Sequence, residues 1–301
     1  MNKKNGFILI YVLGVTFAFV SLILFFNYKV KKYLDSFTGY YKEIEKENIF
    51  ELGFELAKKI LENDTNNNDW LGETWNIERN FRINEYEVKI IISDENGKIN
   101  INKIMGEKGQ VNQLLFDLIK SLFQVCGYSS SLLDCFFDWI DEDNLPRAEG
   151  AEEIYYKSIG LINLPPNRNL LSLRELFLIK GFDNNILEGE EENEGLLSFV
   201  TIYSDDKINI NTCKGQILNA MGFTKSQVDS IMVEREYRPL NERFLTRVNR
   251  QVFLKYRNLI KYNSNYFRVL VYLKDEKENE AVCEGIIKKD KSIELIRKGI
   301  L

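Results

Sequence analysis

The residues best suited to chemistry are the carboxylates Asp138, Asp141, Asp143, Glu149 and Glu152, which crowd into one short stretch. Several oxygen donors on a single loop are the ligand type that hard cations such as Ca2+ select. Counting Asp141 as one, Asp143, Glu149 and Glu152 fall at three, nine and twelve, the rhythm of an EF-hand loop. Leu145 and Pro146 then stand at five and six, where that loop needs a ligand and a glycine, so an EF-hand is excluded. Two readings stay open. The block is either a differently built cation site or a solvated loop in which Asp138 and Asp141 serve helix ends.

Other reactive constellations are scarce. The chain has no histidine, which removes Ser-His-Asp and Cys-His nucleophilic sites, histidine zinc sites and the commonest general base. Cys126, Cys135, Cys213 and Cys283 lie far outside CxxC spacing. If the body is exported, Cys126 and Cys135 are the pair to expect in a disulfide, since they end two adjacent helical patterns. Buried free thiols are the alternative. With 45 acidic and 40 basic residues the net charge is −5, the signs are mixed, and no basic patch favours nucleic acid. An anchored hydrolase working through Asp138 and Asp141 has no second convergent group. A non-enzymatic protein is expected.

The elements that position these groups follow from periodicity. Phe7 to Phe26 (FILIYVLGVTFAFVSLILFF) is an uncharged run flanked by Lys3, Lys4, Lys29, Lys31 and Lys32. A helix of that length spans about 30 Å, the thickness of a hydrocarbon core, so a membrane span is expected. Val30, Leu34, Phe37, Tyr41 and Ile44 continue a helical stripe, and after a slip Ile49, Leu52, Leu56 and Ile60 resume it. No proline interrupts, so one helix from about Phe7 to Leu61 is predicted, on the order of 80 Å long.

Tyr86, Val88, Ile90 and Ile92 alternate as a half-buried strand, and YFRVLVYL (266–273) and residues 281–288 read as two closing antiparallel strands. Between them the pattern is mostly helical, with apolar faces at 114–123, 132–140, 217–221 and 228–232. Ser172 and Glu175, and Thr224 and Gln227, have capping-box spacing. EGEEENEG (188–195) reads as an exposed loop. A near repeat links Asp94–Asn102 to Asp205–Asn211: an acidic turn, Lys-Ile-Asn-Ile-Asn, then a helix, with asparagine suited to an N-cap.

Taken together these landmarks resemble one family, the K-type minor pseudopilin of the type II secretion system. The resemblance runs through the NGF junction, SDENGKININ (93–102), FDWIDEDNLPRAEGAEEIYY (137–156), LPPNRNLLSLRELFLIKGF (164–182), TIYSDDKININTC (201–213) and SNYFRVLVYL (264–273). It implies an α+β fold: a long N-terminal transmembrane pilin helix and a small antiparallel-sheet pilin domain carrying a large inserted α-helical domain. The implied divisions are a prepilin leader at 1–6, a transmembrane part at 7–28 and a pilin-like helix with first strands at 29–102. An inserted helical domain at 103–262 and closing strands at 263–301 complete them.

The resemblance further implies cleavage by a prepilin peptidase between Gly6 and Phe7, N-methylation of Phe7, and an inner-membrane protein with a cytoplasmic N-terminus and periplasmic body. The lysines alone do not fix that orientation, because both flanks are basic. Tyr11 stands where most pseudopilins carry a glutamate and the K-type lacks one. Implied partners are the I- and J-type minor pseudopilins, the inner-membrane assembly platform and the bilayer, with Ca2+ in the helical domain. The role implied is a tip cap that initiates assembly and supports export. The alternative is a membrane-anchored DNA-binding competence protein, since Ala220–Thr224 resembles a helix-hairpin-helix turn. There only Gly222 is present, and the flanking charges (Lys225, Asp229, Glu234, Arg235) are mixed.

Overall fold

The computed structural model describes residues 3–106, 110–190, 193–290 and 293–300, with side chains from Ile8 onward in the first helix. The chain forms two compact units, one up to Gly53 and one from Phe54 onward. The described residues of the first unit are all helical. Its helix α1 (Lys3–Glu62) is unbroken because neither proline nor a turn-forming cluster intervenes. Its apolar part is long enough to cross a membrane, and the most apolar window is wholly unburied.

In the second unit the strands β1 (Arg79–Ile83) and β2 (Tyr86–Asp94) form a hairpin. The inserted region then runs β3 (Ile99–Asn100), α2 (Gln113–Val125), α3 (Ser131–Ile140), α4 (Glu153–Ser158), α5 (Asn184–Glu188), β4 (Gly189–Glu190), β5 (Asn193–Glu194), β6 (Val200–Thr201), β7 (Ile208–Asn209), α6 (Gly215–Met221), α7 (Lys225–Tyr237), α8 (Glu242–Tyr256) and β8 (Ile260–Lys261). The chain returns to the main sheet with β9 (Tyr266–Lys274), β10 (Glu280–Lys289) and β11 (Ile293–Ile300). The antiparallel sheet has the order β1-β2-β9-β10-β11. Inside the insert β3 pairs with β6 and β7 with β8, both parallel.

Alternation fixes the register. Val88 faces Leu273, Ile90 faces Val271 and Ile92 faces Val269, so one sheet face is continuously apolar. The last turns of α1 belong to this unit. There Phe54, Ala57 and Leu61 are buried, spaced by three and four, while Leu52 and Leu56 are exposed. The expected stripe through Leu52 and Leu56 is therefore corrected. The segment is apolar at many positions, and only contact with a neighbour selects which stripe is covered. Gly285 makes that approach possible: a Cβ there would lie 2.4 Å from Phe54 Cε1. Gly285→Ala should destabilise the chain by about 1–3 kcal/mol through overpacking. Urea unfolding in detergent micelles measures this, and an unchanged midpoint would show that Phe54 can withdraw.

The sequence reading missed β1, β11, α4 and α8. β1 (RNFRI) is mostly polar, β11 (IELIRKGI) breaks its apolar alternation with Arg297, Lys298 and Gly299, and each pairs with a single neighbour. The capping box expected at Ser172 and Glu175 forms, and it heads a 3-10 turn over Leu173–Leu178. The acidic stretch 188–195 contains the small β4–β5 hairpin in place of a plain loop.

Candidate metal centre in the inserted domain

Helix α3 buries Leu132, Leu133, Phe136 and Phe137, which turns Asp134 and Asp138 toward the loop that follows. Asp138 is fully buried and accepts from the Arg147 backbone N–H at 3.2 and 3.1 Å. The Arg147 guanidinium lies 3.5 Å from Asp138 and 3.2 Å from Asp141 Oδ2, stacked 4.8 Å from the Phe137 ring centroid. Gly150 closes this clamp, since a Cβ there would sit 1.8 Å from Asp138 Oδ2. Asp138 thus holds the loop in place.

The loop brings one carboxylate oxygen each from Asp141, Asp143 and Glu152 within 4.8 Å of one another. Glu152 is 3 % exposed, yet neither of its oxygens has a hydrogen-bond partner among the described residues, and Asp141 Oδ1 is likewise unpartnered. Orphaned buried acceptors of this kind are costly. Burial pushes the Glu152 carboxyl up to about 7, helped by the negative charges of Asp138, Asp141 and Asp143. Burial also raises Asp141. An all-oxygen, anionic donor set with unmet demand fits a hard divalent cation. Of the five predicted carboxylates, Asp141, Asp143 and Glu152 converge. Glu149 is exposed and serves through its backbone, donating to Asp134 and accepting from Lys180 Nζ at 3.1 Å.

A second acidic group, Asp64, Asp69 and Glu73, escaped the sequence reading. Its oxygens already have partners. Lys289 Nζ lies 2.6 Å from Asp64 and 3.3 Å from Asp69, Ser264 N donates to Asp69, and Trp75 Nε1 donates to Glu73 at 2.7 Å. A protein ammonium does here what a metal would do at the first group.

The repeated Lys-Ile-Asn-Ile-Asn motif proves to be a joint. Asn100 caps the short helical turn after β3 by accepting from Asn102 N, as its position suggested. The buried Asn209 amide donates to Asp69 O, Asp94 Oδ2 and Ser264 Oγ at 2.8, 3.0 and 2.8 Å. Asp94 also accepts from Ser264 Oγ and Thr212 Oγ1, both at 2.5 Å, and from Asn96 N at 2.7 Å. This network fastens the insert where the chain leaves β2 and enters β9.

The helix-hairpin-helix turn forms, with Gly222 left-handed at φ 104 between α6 and α7. Its amides are spent internally: Gly222 N on Asn219 O, Phe223 N on Leu218 O and Thr224 N on the Gln227 side chain. These three are therefore not free to cradle a phosphate, and the turn serves packing. The Cys126–Cys135 bridge is also corrected. Both are unbridged thiols, and Cys135 Sγ donates to Glu149 O at 3.2 Å instead. Gly6 and Phe7 fall in the first turns of α1, and their side chains lie outside the described residues.

Residues 97–204 match the family described as Type II secretion system (T2SS), protein K. That stretch is similar to the protein K family of the type II secretion system. Type II secretion system protein K of Klebsiella pneumoniae is 27% identical over 178 residues, covering 54% of this chain and 52% of that protein. The protein K of Pectobacterium carotovorum subsp. carotovorum is 28% identical over 181 residues, covering 54% and 53%. The chain therefore matches about half the length of these curated relatives. Among solved structures, the GspK-GspI-GspJ complex from enterotoxigenic Escherichia coli aligns with TM-score 0.71 at 16% identity, over 88% of this chain and 99% of that one. That similarity establishes the fold. The converging carboxylates all lie within the stretch matched to protein K.

Proposed function

We propose that this chain is a minor pseudopilin that caps the tip of a type II secretion pseudopilus, a structural subunit and not a catalyst. The observation that carries the reading is the insertion of a stretch similar to protein K between β2 and β9 of a chain that starts with a long apolar helix. In this reading α1 anchors the protein in the inner membrane as a single pass, N-terminus cytoplasmic and body periplasmic, and serves as its fibre spine. A glutamate in lipid is tolerable where it neutralises a neighbouring subunit's terminal amine. Tyr11 offers no such charge, which suits the topmost subunit. The I- and J-type minor pseudopilins are its tip partners, and the inner-membrane assembly platform receives the complex.

Asp141, Asp143 and Glu152 would hold Ca2+, whose charge would answer the unpartnered oxygens and fix the loop. A prepilin peptidase would cut between Gly6 and Phe7 and methylate the new amine. Mass spectrometry of the membrane-extracted protein tests this last step. The expected N-terminus is a singly methylated Phe7, and an intact Met1 would rule processing out. Co-expression with I- and J-type pseudopilins should yield a ternary complex on gel filtration, and its absence would overturn the tip assignment.

A further inference from the structure

A cavity of about 500 Å³, within the range of ligand sites, opens between the main sheet and the inserted domain. Although the chain is acidic overall, Lys98, Arg174, Arg268 and Arg297 line it against two carboxylates, Glu188 and Glu284. Two of the cations are already engaged. Lys98 and Arg268 hold the fully buried Glu95 at 3.0 and 2.7 Å, and Arg268 also holds Glu284 at 2.6 Å. The other two are available: among the described residues Arg174 and Arg297 are exposed and form no ion pair. The Arg297 guanidinium stacks 5.2 Å from the Tyr203 ring centroid, which orders it without neutralising it.

Between the cations the floor is apolar and half-buried, formed by Leu173, Phe177 and Leu197. Arg297 and Gly299 belong to β11, which among the described residues pairs only with β10 and so ends the sheet. An unpaired strand edge is a template for an added strand.

We propose that this groove binds an extended acidic segment of a partner protein, with carboxylate and apolar residues taking turns at every second position. Its backbone would run along β11, its carboxylates would meet Arg174 and Arg297, and its apolar side chains would enter the floor. Side chains two positions apart share one face of an extended strand, so carboxylate and apolar groups at those positions all face the groove. A free phosphate or a lipid headgroup would use the arginines but leave the apolar floor and the strand edge unused.

The probe is a fluorescein-labelled, C-amidated octapeptide with Glu and Leu by turns at the odd positions and Ser at the even ones, titrated into the full chain in detergent micelles at low salt. The control is the same peptide with Gln for Glu. The acidic peptide should bind about tenfold more tightly, and the difference should vanish at high ionic strength. Arg174→Ala and Arg297→Ala should each weaken it about three- to fivefold, the size of an exposed ion pair, whereas Glu188→Gln should strengthen it. All three positions are exposed, and circular dichroism confirms that the variants fold. Equal binding of the two peptides, or an unaffected double arginine variant, would overturn the proposal. So would displacement of the acidic peptide by inorganic phosphate or by phosphatidylglycerol vesicles but not by its unlabelled form.

Discussion

In chelator at pH 8, the Glu152→Gln chain should melt above the wild type, and added Ca2+ should reverse the order. Glu152 is buried among Asp138, Asp141 and Asp143, with neither oxygen bonded. Its folded carboxyl titrates at about 7, against 4.5 for an ordinary glutamate. The folded state therefore holds the proton more tightly than the unfolded state. The associated stability is complete below about 4.5 and is lost as pH rises through about 7. At 1.36 kcal/mol per unit the ionised side chain costs about 3 kcal/mol at pH 8. Glutamine removes that cost, so its advantage over wild type should shrink toward zero below about pH 4.5.

A bound divalent cation turns the same charges to advantage. At about a thousand times Kd the wild type should gain about 4 kcal/mol, or roughly 8–16 °C in Tm for a domain of this size, and Glu152→Gln much less. Isothermal titration of both chains with Ca2+ gives the affinity directly. Asp141→Asn should lose binding in parallel, whereas Glu149→Gln should retain it, because only the backbone of Glu149 takes part in the loop. A glutamine variant less stable than wild type in chelator at pH 8, or equal Ca2+ gains in both, would remove the site.

Asp94→Ala should produce the largest loss of stability outside the apolar core, about 3–5 kcal/mol, or on the order of 10 °C in Tm. The carboxylate accepts from two hydroxyls, a side-chain amide and a backbone N–H, and each donor left unpaired and buried costs about 1–3 kcal/mol. Asn209 keeps Asp69 O and Ser264 Oγ as partners, which is why the total stays below the simple sum. Asp94→Asn retains one acceptor and should cost roughly half as much. Chemical unfolding of the three chains at pH 7 makes the comparison. A loss under about 1 kcal/mol for the alanine variant would mean that water replaces the carboxylate and that the joint is not held here.

The membrane-length helix, the strands at Tyr86–Asp94, Tyr266–Lys274 and Glu280–Lys289, and the cap at Ser172 could all be seen in the sequence. Each rests on a signal carried by residues adjacent along the chain: hydrophobic period, alternation or cap spacing. β1 and β11 carry little such signal, and their strand conformation comes from the neighbours they pair with.

The acidic block was likewise visible as a block, but its division of labour was not. Spacing cannot tell that Arg147 folds back to occupy Asp138 and half of Asp141, leaving Glu152 with no donor. Nor can it tell that Lys289 lies against Asp64 and Asp69, more than 200 positions away. Local order along the chain determined the membrane-length helix, the sheet and the motifs that match protein K. Which carboxylates remain free to take a cation was decided only by tertiary structure, because a buried oxygen's remaining demand depends on every donor the whole fold brings to it.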